Sequence, residues 1–212
     1  MMGGRLSKLD IHILVTEKTN KEWFSQCLAS LEDKPNVAVH ILQGTPYHTG
    51  LGRIMGYERG TYPYVAVVDP DDYVLPGGIE ACIAALDTNV KKHVAYTKQR
   101  RVDENGKTIV DPSSNTYLSC VGTDIEPFMA HHLVVYRRSA LPDLLFLKDY
   151  PTMDVYALND RMPKDSFQYV DVTGYAWRMH RDNYHQNPVK SVESERLRDR
   201  ISQLTLEKVL GR

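Results

Sequence analysis

Apolar positions along the chain fall into two alternating periods. Ile11–Val15 is a short β-branched-rich run and predicts a buried strand. Thr19 followed by Glu22 predicts a capping box opening a helix. Trp23, Phe24, Cys27, Leu28 and Leu31 then keep one helical face, and Lys34-Pro35-Asn36 ends it. Val37–Leu42 alternates and predicts a second strand, broken by Gly44-Thr45-Pro46. A looser helix is predicted over Gly50–Arg59 with Gly60 as its stop, and a third strand over Tyr64–Val68. Asp69-Pro70-Asp71-Asp72 follows that strand at once. Pro76-Gly77-Gly78 leads into a helix with Ile79, Cys82, Ile83 and Leu86 at i, i+3, i+4 and i+7. Strand and helix alternate three times, which predicts an α/β fold with a parallel sheet and crossover helices. Such sheets bind ligands outside the carboxyl ends of their strands, and the acidic cluster is placed at one of those ends.

The second half is less regular. Val94–Val102 and Lys107–Val110 flank Glu104-Asn105-Gly106, a hairpin signal through Asn-Gly. Ser113–Thr116 reads as a polar loop and His132–Arg137 as a strand. Thr152–Met162 reads as a short helix with Val155, Leu158 and Met162 on one face. Tyr169–Met179 is strand-like but interrupted by Gly174. Leu197, Ile201 and Leu204 mark a C-terminal amphipathic helix.

Length and charge narrow the class. The 212 residues suit one domain, and 42% hydrophobic with 25% charged residues is ordinary for a soluble globular protein. Twenty-six basic against 27 acidic residues leave −1, so no global excess points to nucleic acid or an anionic membrane. Cys27, Cys82 and Cys120 are odd in number and form no CxxC pair, which predicts reduced thiols and a cytoplasmic protein. The first eight residues hold no apolar core, so no signal peptide is expected. The longest apolar run, Tyr64–Val68, is far short of the roughly 20 residues a membrane helix needs.

The chemistry concentrates in the acidic turn. Asp69 and Asp71 form a D-x-D pair and Asp72 adds a third carboxylate. Hard divalent cations want oxygen ligands, and a nucleoside diphosphate would bring more of them. Taken alone, the same residues also read as a turn, since Asp and Pro are favoured there.

In its setting, the stretch from Tyr64 through Val68, Asp69-Pro70-Asp71-Asp72 and Pro76-Gly77 resembles the nucleotide-sugar site of GT-A-fold glycosyltransferases, especially the family 2 group. Cys27-Leu28-Ala29-Ser30-Leu31 resembles that family's C-L-x-S-L run, and Gly50–Gly56 its G-x-x-x-A-R-N-x-G run. Thr152–Met162 is similar to its E-D-x-x-L-x-x-R helix, and Tyr175–Tyr184 to its Y-R-x-H-x-x-N-x-S stretch. Two positions depart from the family: Gln43-Gly44 stands where a base-reading Asp is usual, and Met153 where the E-D pair has its Glu.

The resemblance implies a single GT-A-like (Rossmann-like) α/β domain over residues 1–212. Its central, mostly parallel sheet is flanked by helices. Residues 9–90 would form the nucleotide-sugar half, 91–187 the acceptor half and 188–212 a C-terminal helix. It implies a metal-dependent transferase moving a sugar from a nucleotide-diphosphate sugar, a UDP-sugar first among them, to an acceptor hydroxyl. Asp71 and His180 would hold Mn²⁺ or Mg²⁺, and Asp69 would lie nearer the ribose. Thr16 and Glu17, after the first strand, and Gln43, after the second, would lie against the base. Arg53 would meet a phosphate or hold the donor loop; a surface arginine is its plain alternative. Asp154 would be the general base, which implies inversion. A carboxylate favoured by its helix dipole is the alternative there. His185 is a lesser metal candidate, Asp160 reads as solvated helix face, and His131-His132 cannot both face one ion if they lie on a strand.

The acceptor is expected to be a saccharide, or a modified base in DNA. For DNA, Lys98, Arg100, Arg101, Arg137, Arg138, Arg178 and Arg181, with Tyr117, Phe128, Tyr136 and Trp177, would build a cationic aromatic groove. A solvated basic edge is the alternative. A non-catalytic nucleotide-binding module and a sugar-nucleotide nucleotidyltransferase compete with the transferase reading. The second would carry a glycine turn after the first strand, where this chain has Thr16-Glu17-Lys18.

Overall fold

The computed structural model describes residues 8–109, 130, 132–181 and 191–209. Strand β1 (Leu9–Val15) is followed by helix α1 (Lys21–Ala29), β2 (Val37–Gln43), α2 (Thr49–Glu58), β3 (Tyr64–Val67) and the two-residue β4 (Tyr73–Val74). Helix α3 (Gly78–Thr88), β5 (Val94–Val102), β6 (Val134–Arg137), α4 (Asp154–Arg161), β7 (Phe167–Arg178) and α5 (Val192–Val209) complete it, with short 3₁₀ turns between β6 and α4. The seven strands form one sheet in the order β2-β1-β3-β6-β5-β7-β4. The pairs β1–β2, β1–β3 and β5–β7 are parallel, and they make up most of the paired length. β3–β6, β5–β6 and β4–β7 are antiparallel and short.

Strand alternation splits the core in two. Ile11 and Ile13 of β1 face α1 and α3, packing with Cys27, Ile79, Cys82 and Ile83. The other face of the sheet carries Val65, Val67, Val134 and Tyr136 against Tyr57 of α2 and Leu158 of α4. Two close approaches fix the helices on these faces. A Cβ on Gly56 would lie 2.3 Å from the His12 ring, so α2 sits directly on β1. A Cβ on Gly78 would lie 2.5 Å from the Gly174 Cα, so the start of α3 touches the backbone of β7.

The amino ends of the strands are tied by one arginine. Arg138, just after β6, donates to the carbonyls of Tyr57, Arg59 (3.0 Å) and Tyr62 (2.8 Å), and to Asp10 Oδ2 (2.8 Å). Asp10, almost fully buried in β1, also accepts from the Tyr62 amide and pairs with His40.

One local expectation needs correction and two are sharpened. Asn20, not Thr19, caps α1: its side chain accepts from the Glu22 and Trp23 amides, while Thr19 Oγ1 accepts from the Thr16 amide. The hairpin after β5 has its turn, with Gly106 at φ +82° and Asp103 Oδ1 accepting two amides. Its return arm is tied by the bridge Val102–Thr108 and by the Asp103 and Ile109 amides, which donate to the Lys107 and Arg101 carbonyls; Val110 lies outside the described residues. β7 is one strand, but its register on β5 shifts at Gly174, where Lys98 pairs with Thr173 and Gln99 with Tyr175; Thr97 of β5 and the start of α3 leave no room there for a side chain. The loop expected at Ser113–Thr116 lies outside the described residues. Among the described residues no helix is long and apolar enough to cross a membrane.

Gly→Ala in a free helix interior stabilises by about 1 kcal/mol. Gly56→Ala reverses that sign here, because the His12 ring is fully buried and cannot yield. The expected loss is about 1–3 kcal/mol, the usual cost of overpacking. Urea unfolding checks it, and a midpoint at or above wild type would mean that α2 can lift from β1.

Candidate functional site

The carboxyl ends of β2, β1 and β3 lie side by side, and the candidate residues hang from them. Gln43 ends edge strand β2 opposite Val15 and is exposed. Thr16 and Glu17 follow β1; the Thr16 hydroxyl accepts from the Lys18 amide. Lys18 meets the Tyr47 hydroxyl and lies 4.3 Å from the centroid of its ring. Tyr47 has φ +59°, a conformation uncommon for a bulky residue. Strand β1 separates this group from the acidic turn, which follows β3 on its other side.

The turn is held from beneath. Asp69 O accepts from the Asp72 amide (3.1 Å) and the Cys27 thiol (3.5 Å), and the Asp69 amide donates to Tyr175 Oη (3.2 Å). Asp72 is 2% exposed, and its Oδ1 accepts from the Arg178 amide at 2.7 Å. The Arg178 guanidinium, also buried, donates to Asp71 O (2.8 Å), Glu104 O (2.7 Å) and Gln26 Oε1. Strand β7, helix α1 and the 103–107 turn thus converge on the acidic turn. Asp71, like Asp69, keeps part of its side chain accessible; its Oδ2 lies 2.7 Å from His180 Nε2, and the His180 ring leans on Trp23.

Arg53 faces the same turn from α2. The sequence offers Arg53 as a phosphate contact or a brace of the donor loop, with a surface arginine as the alternative; at 4% exposed it is no surface side chain. Its Nη2 donates to Asp69 Oδ1 at 2.6 Å and its Nε to Asp154 Oδ2 at 2.8 Å. Asp154 opens α4 just after Met153, which takes φ +63°. Its other oxygen accepts from the Thr49 hydroxyl, one turn before Arg53 on α2. So the structure joins Asp69, Arg53 and Asp154 on one side of the turn and Asp71 with His180 on the other.

Burial and mutual repulsion shape the electrostatics. Burial raises the Asp72 carboxyl well above the usual range, and Asp71 and Asp69 add to it. Burial also raises Asp69, with Arg53 opposing and Asp71 adding. Burial works against the charge of Arg53, yet Asp154 and Asp69 together hold it protonated beyond the ordinary value. Burial, then Asp72, Asp69 and Asp71, pushes the Cys27 thiol up, so this cysteine is no nucleophile.

Two donor sets suit a divalent ion. One is Asp71 Oδ2 with His180 Nε2, already adjacent. The other is Asp69, Asp72 and His132, whose nearest ligand atoms lie within 4.8 Å of one another. Carboxylate oxygens with one imidazole fit Mn²⁺ or Mg²⁺ by donor chemistry. Sequence reasoning missed the second set. It placed His132 on a strand, whereas β6 begins at Val134 and His132 sits in the bend before it, stacked on Tyr175 at 4.9 Å. Its Nδ1 is 3.8 Å from Asp72 Oδ2. His131 and His185 lie outside the described residues.

Several of the cations that would line a groove for DNA are engaged elsewhere. Arg137 donates to the Leu86 and Lys92 carbonyls, Arg138 to the loop after α2, and Arg178 to the acidic turn. Tyr136 is buried and bonded to Asn159. Lys98 pairs with Asp171, and Arg101 lies over Trp177. Tyr117 and Phe128 lie outside the described residues.

The model of glycosyl transferase family 2 matches residues 25–145. Among solved structures the fold is similar to S. aureus TarS 1-349 in complex with UDP-GlcNAc, at 16% identity and TM-score 0.58, covering 90% of this chain and 64% of that one. It is also similar to TarS 1-349 alone, at 14% identity and TM-score 0.55, covering 81% and 60%. TarS 1-349 in complex with UDP matches at 13% identity and TM-score 0.52, covering 90% and 69%. This chain therefore spans less than two thirds of the first two chains it matches. No curated protein matches it.

The raised Asp72 carboxyl has a signed consequence. An unfolded aspartate loses its proton near pH 4. The folded one keeps it to higher pH, so the folded state binds more protons in between and stability falls as pH rises through that window. Asp72→Asn removes this fall. With EDTA present, its melting temperature should pull ahead of wild type as pH goes from 4 to 8. A gap that stays constant over that range would contradict the burial of a charged Asp72.

Proposed function

The chain belongs to glycosyl transferase family 2, and on that premise we propose that it transfers a sugar from a nucleotide-diphosphate sugar to an acceptor hydroxyl. A UDP-sugar is the first donor to consider, because TarS structures of similar fold are described in complex with UDP and UDP-GlcNAc. The observation that carries the reading is the acidic turn at the carboxyl end of β3, with Asp71 against His180 and Arg53 joining Asp69 to Asp154.

In this reading residues 9–90 serve the donor and 91–187 the acceptor. Thr16, Glu17 and Gln43 flank the base and Asp69 meets the ribose. Asp71 and His180 would hold Mn²⁺ or Mg²⁺, whose chemistry is to offset charge on the departing diphosphate. Asp154 takes the proton from the acceptor hydroxyl. The new bond forms between that oxygen and the anomeric carbon, opposite the bond to phosphate that breaks, and the nucleoside diphosphate leaves with the electron pair. The product is inverted. A saccharide hydroxyl suits the site better than a DNA base, because Arg137, Arg138 and Arg178 are engaged with backbone carbonyls.

One observation favours a second reading, a module that binds the donor without turning it over: both oxygens of Asp154 are already occupied, by Arg53 and by Thr49.

Binding and turnover separate the two. UDP with Mn²⁺ should raise the melting temperature, since a ligand of the native state stabilises it by linkage. Asp71→Ala and His180→Ala should lose the Mn²⁺-dependent part. UDP-GlcNAc should be cleaved to UDP, slowly with water and faster with a saccharide acceptor. Asp154→Asn should slow this about 100-fold or more while still binding UDP. Binding without cleavage would leave the module, and no binding of any nucleotide would remove both readings.

A further inference from the structure

We propose that Arg53 is a positioning residue that makes one unit of the donor-side carboxylate Asp69 and the acceptor-side carboxylate Asp154, so that a change at either is felt at the other. The roles of the two sides rest on the transferase reading; the link itself rests on geometry.

A guanidinium is planar, and its Nε–H and one Nη–H leave along the same edge in a fixed fork. That edge usually clamps both oxygens of one carboxylate. Here it is divided: Nε goes to Asp154 and Nη2 to Asp69. Nε has a single N–H and the group is a rigid plane, so a guanidinium that moves towards one carboxylate moves away from the other. The group has little freedom to give way. It is 4% exposed, and Gly52 and Gly56, on either side of it in α2, hold the helix against Leu14 and His12. Nη1 is buried and makes no hydrogen bond among the described residues, so no acceptor on that side competes for the side chain.

The two ends are not held alike. Asp154 is 6% exposed and fixed by two α2 side chains, Thr49 and Arg53. The Asp69 side chain keeps 35% of its surface accessible and is the end a ligand can reach. A donor hydroxyl taking an Asp69 oxygen would therefore change the fork's hold on Asp154 without needing to touch Asp154 itself. By reciprocity, neutralising Asp154 must change donor affinity by the same factor. An arginine that only filled space would transmit nothing.

Calorimetric UDP binding tests this with a four-member cycle: wild type, Asp154→Asn, Arg53→Met and the double variant. Asp154→Asn should change the UDP dissociation constant about fivefold or more in the native background. It should change it less than about twofold once Arg53 is gone. The same factor in both backgrounds would overturn the link. Arg53→Lys closes the same cycle should Arg53→Met not fold, because a lysine is a point charge without the fork. If wild type binds no UDP, the donor reading falls, and a ligand-free cycle still decides the link. Urea midpoints of Asp69→Asn, Asp154→Asn and their double variant should be non-additive with Arg53 present and additive without it. Additivity in both would overturn it.

Discussion

Asp69, Asp71 and Asp72 crowd three carboxylates into one turn against an apolar strand end, and the fold is organised around compensating them. A buried carboxylate must be paired, hydrogen-bonded or protonated. All three remedies occur here. Arg53 pairs Asp69 from α2. Arg178 offers its amide to Asp72 and its guanidinium to the carbonyl of Asp71 from β7. Asp72 is also pushed towards its protonated form. Pairing draws in α2 and hydrogen bonding draws in β7, with Cys27 and Gln26 of α1 bonded to the same group, so the requirement at one turn fixes where these three elements must lie.

The opposite end of the sheet offers a comparison. Arg138 and Asp10 also form a buried ion pair there. Arg138 otherwise meets backbone carbonyls, and its arrangement closes on itself. At the carboxyl end Asp71 and Asp69 keep about a third of their side-chain surface accessible, and Asp72 remains a buried carboxylate at a cost to stability. Sites that meet ligands commonly carry such a cost.

The sequence was legible where structure depends on near neighbours. The three strand–helix units follow from period, and the acidic turn was located by its place after β3. Local competition defeated the α1 cap: Asn20 and Thr19 are both good capping residues, and only the observed turn decides between them. Charged residues misled more deeply. Arg53 lies on a helix whose pattern gives no reason to bury a cation; the reason is Asp154, 101 positions away. Arg178 and Arg137 read as groove cations because a pattern carries no information on which carbonyls the fold leaves open nearby. His132 is set aside in the sequence by the strand rule applied to His131-His132; a two-residue bend before β6, with Leu133 at φ +45°, takes it off the strand.

The tie between Asp72 and Arg178 spans 106 positions, and β4 pairs only with β7. A ribosome delivers the acidic turn long before the arginine that anchors it. While the chain is being made, β1, α1, β2, α2 and β3 can associate, but the turn has neither its floor nor the strand beside it. Closing so long a loop is slow relative to local helix formation. The site is therefore completed late: a nascent chain that ends before β7 already has Arg53 for Asp69, but not the Arg178 that anchors Asp72 or the His180 that meets Asp71.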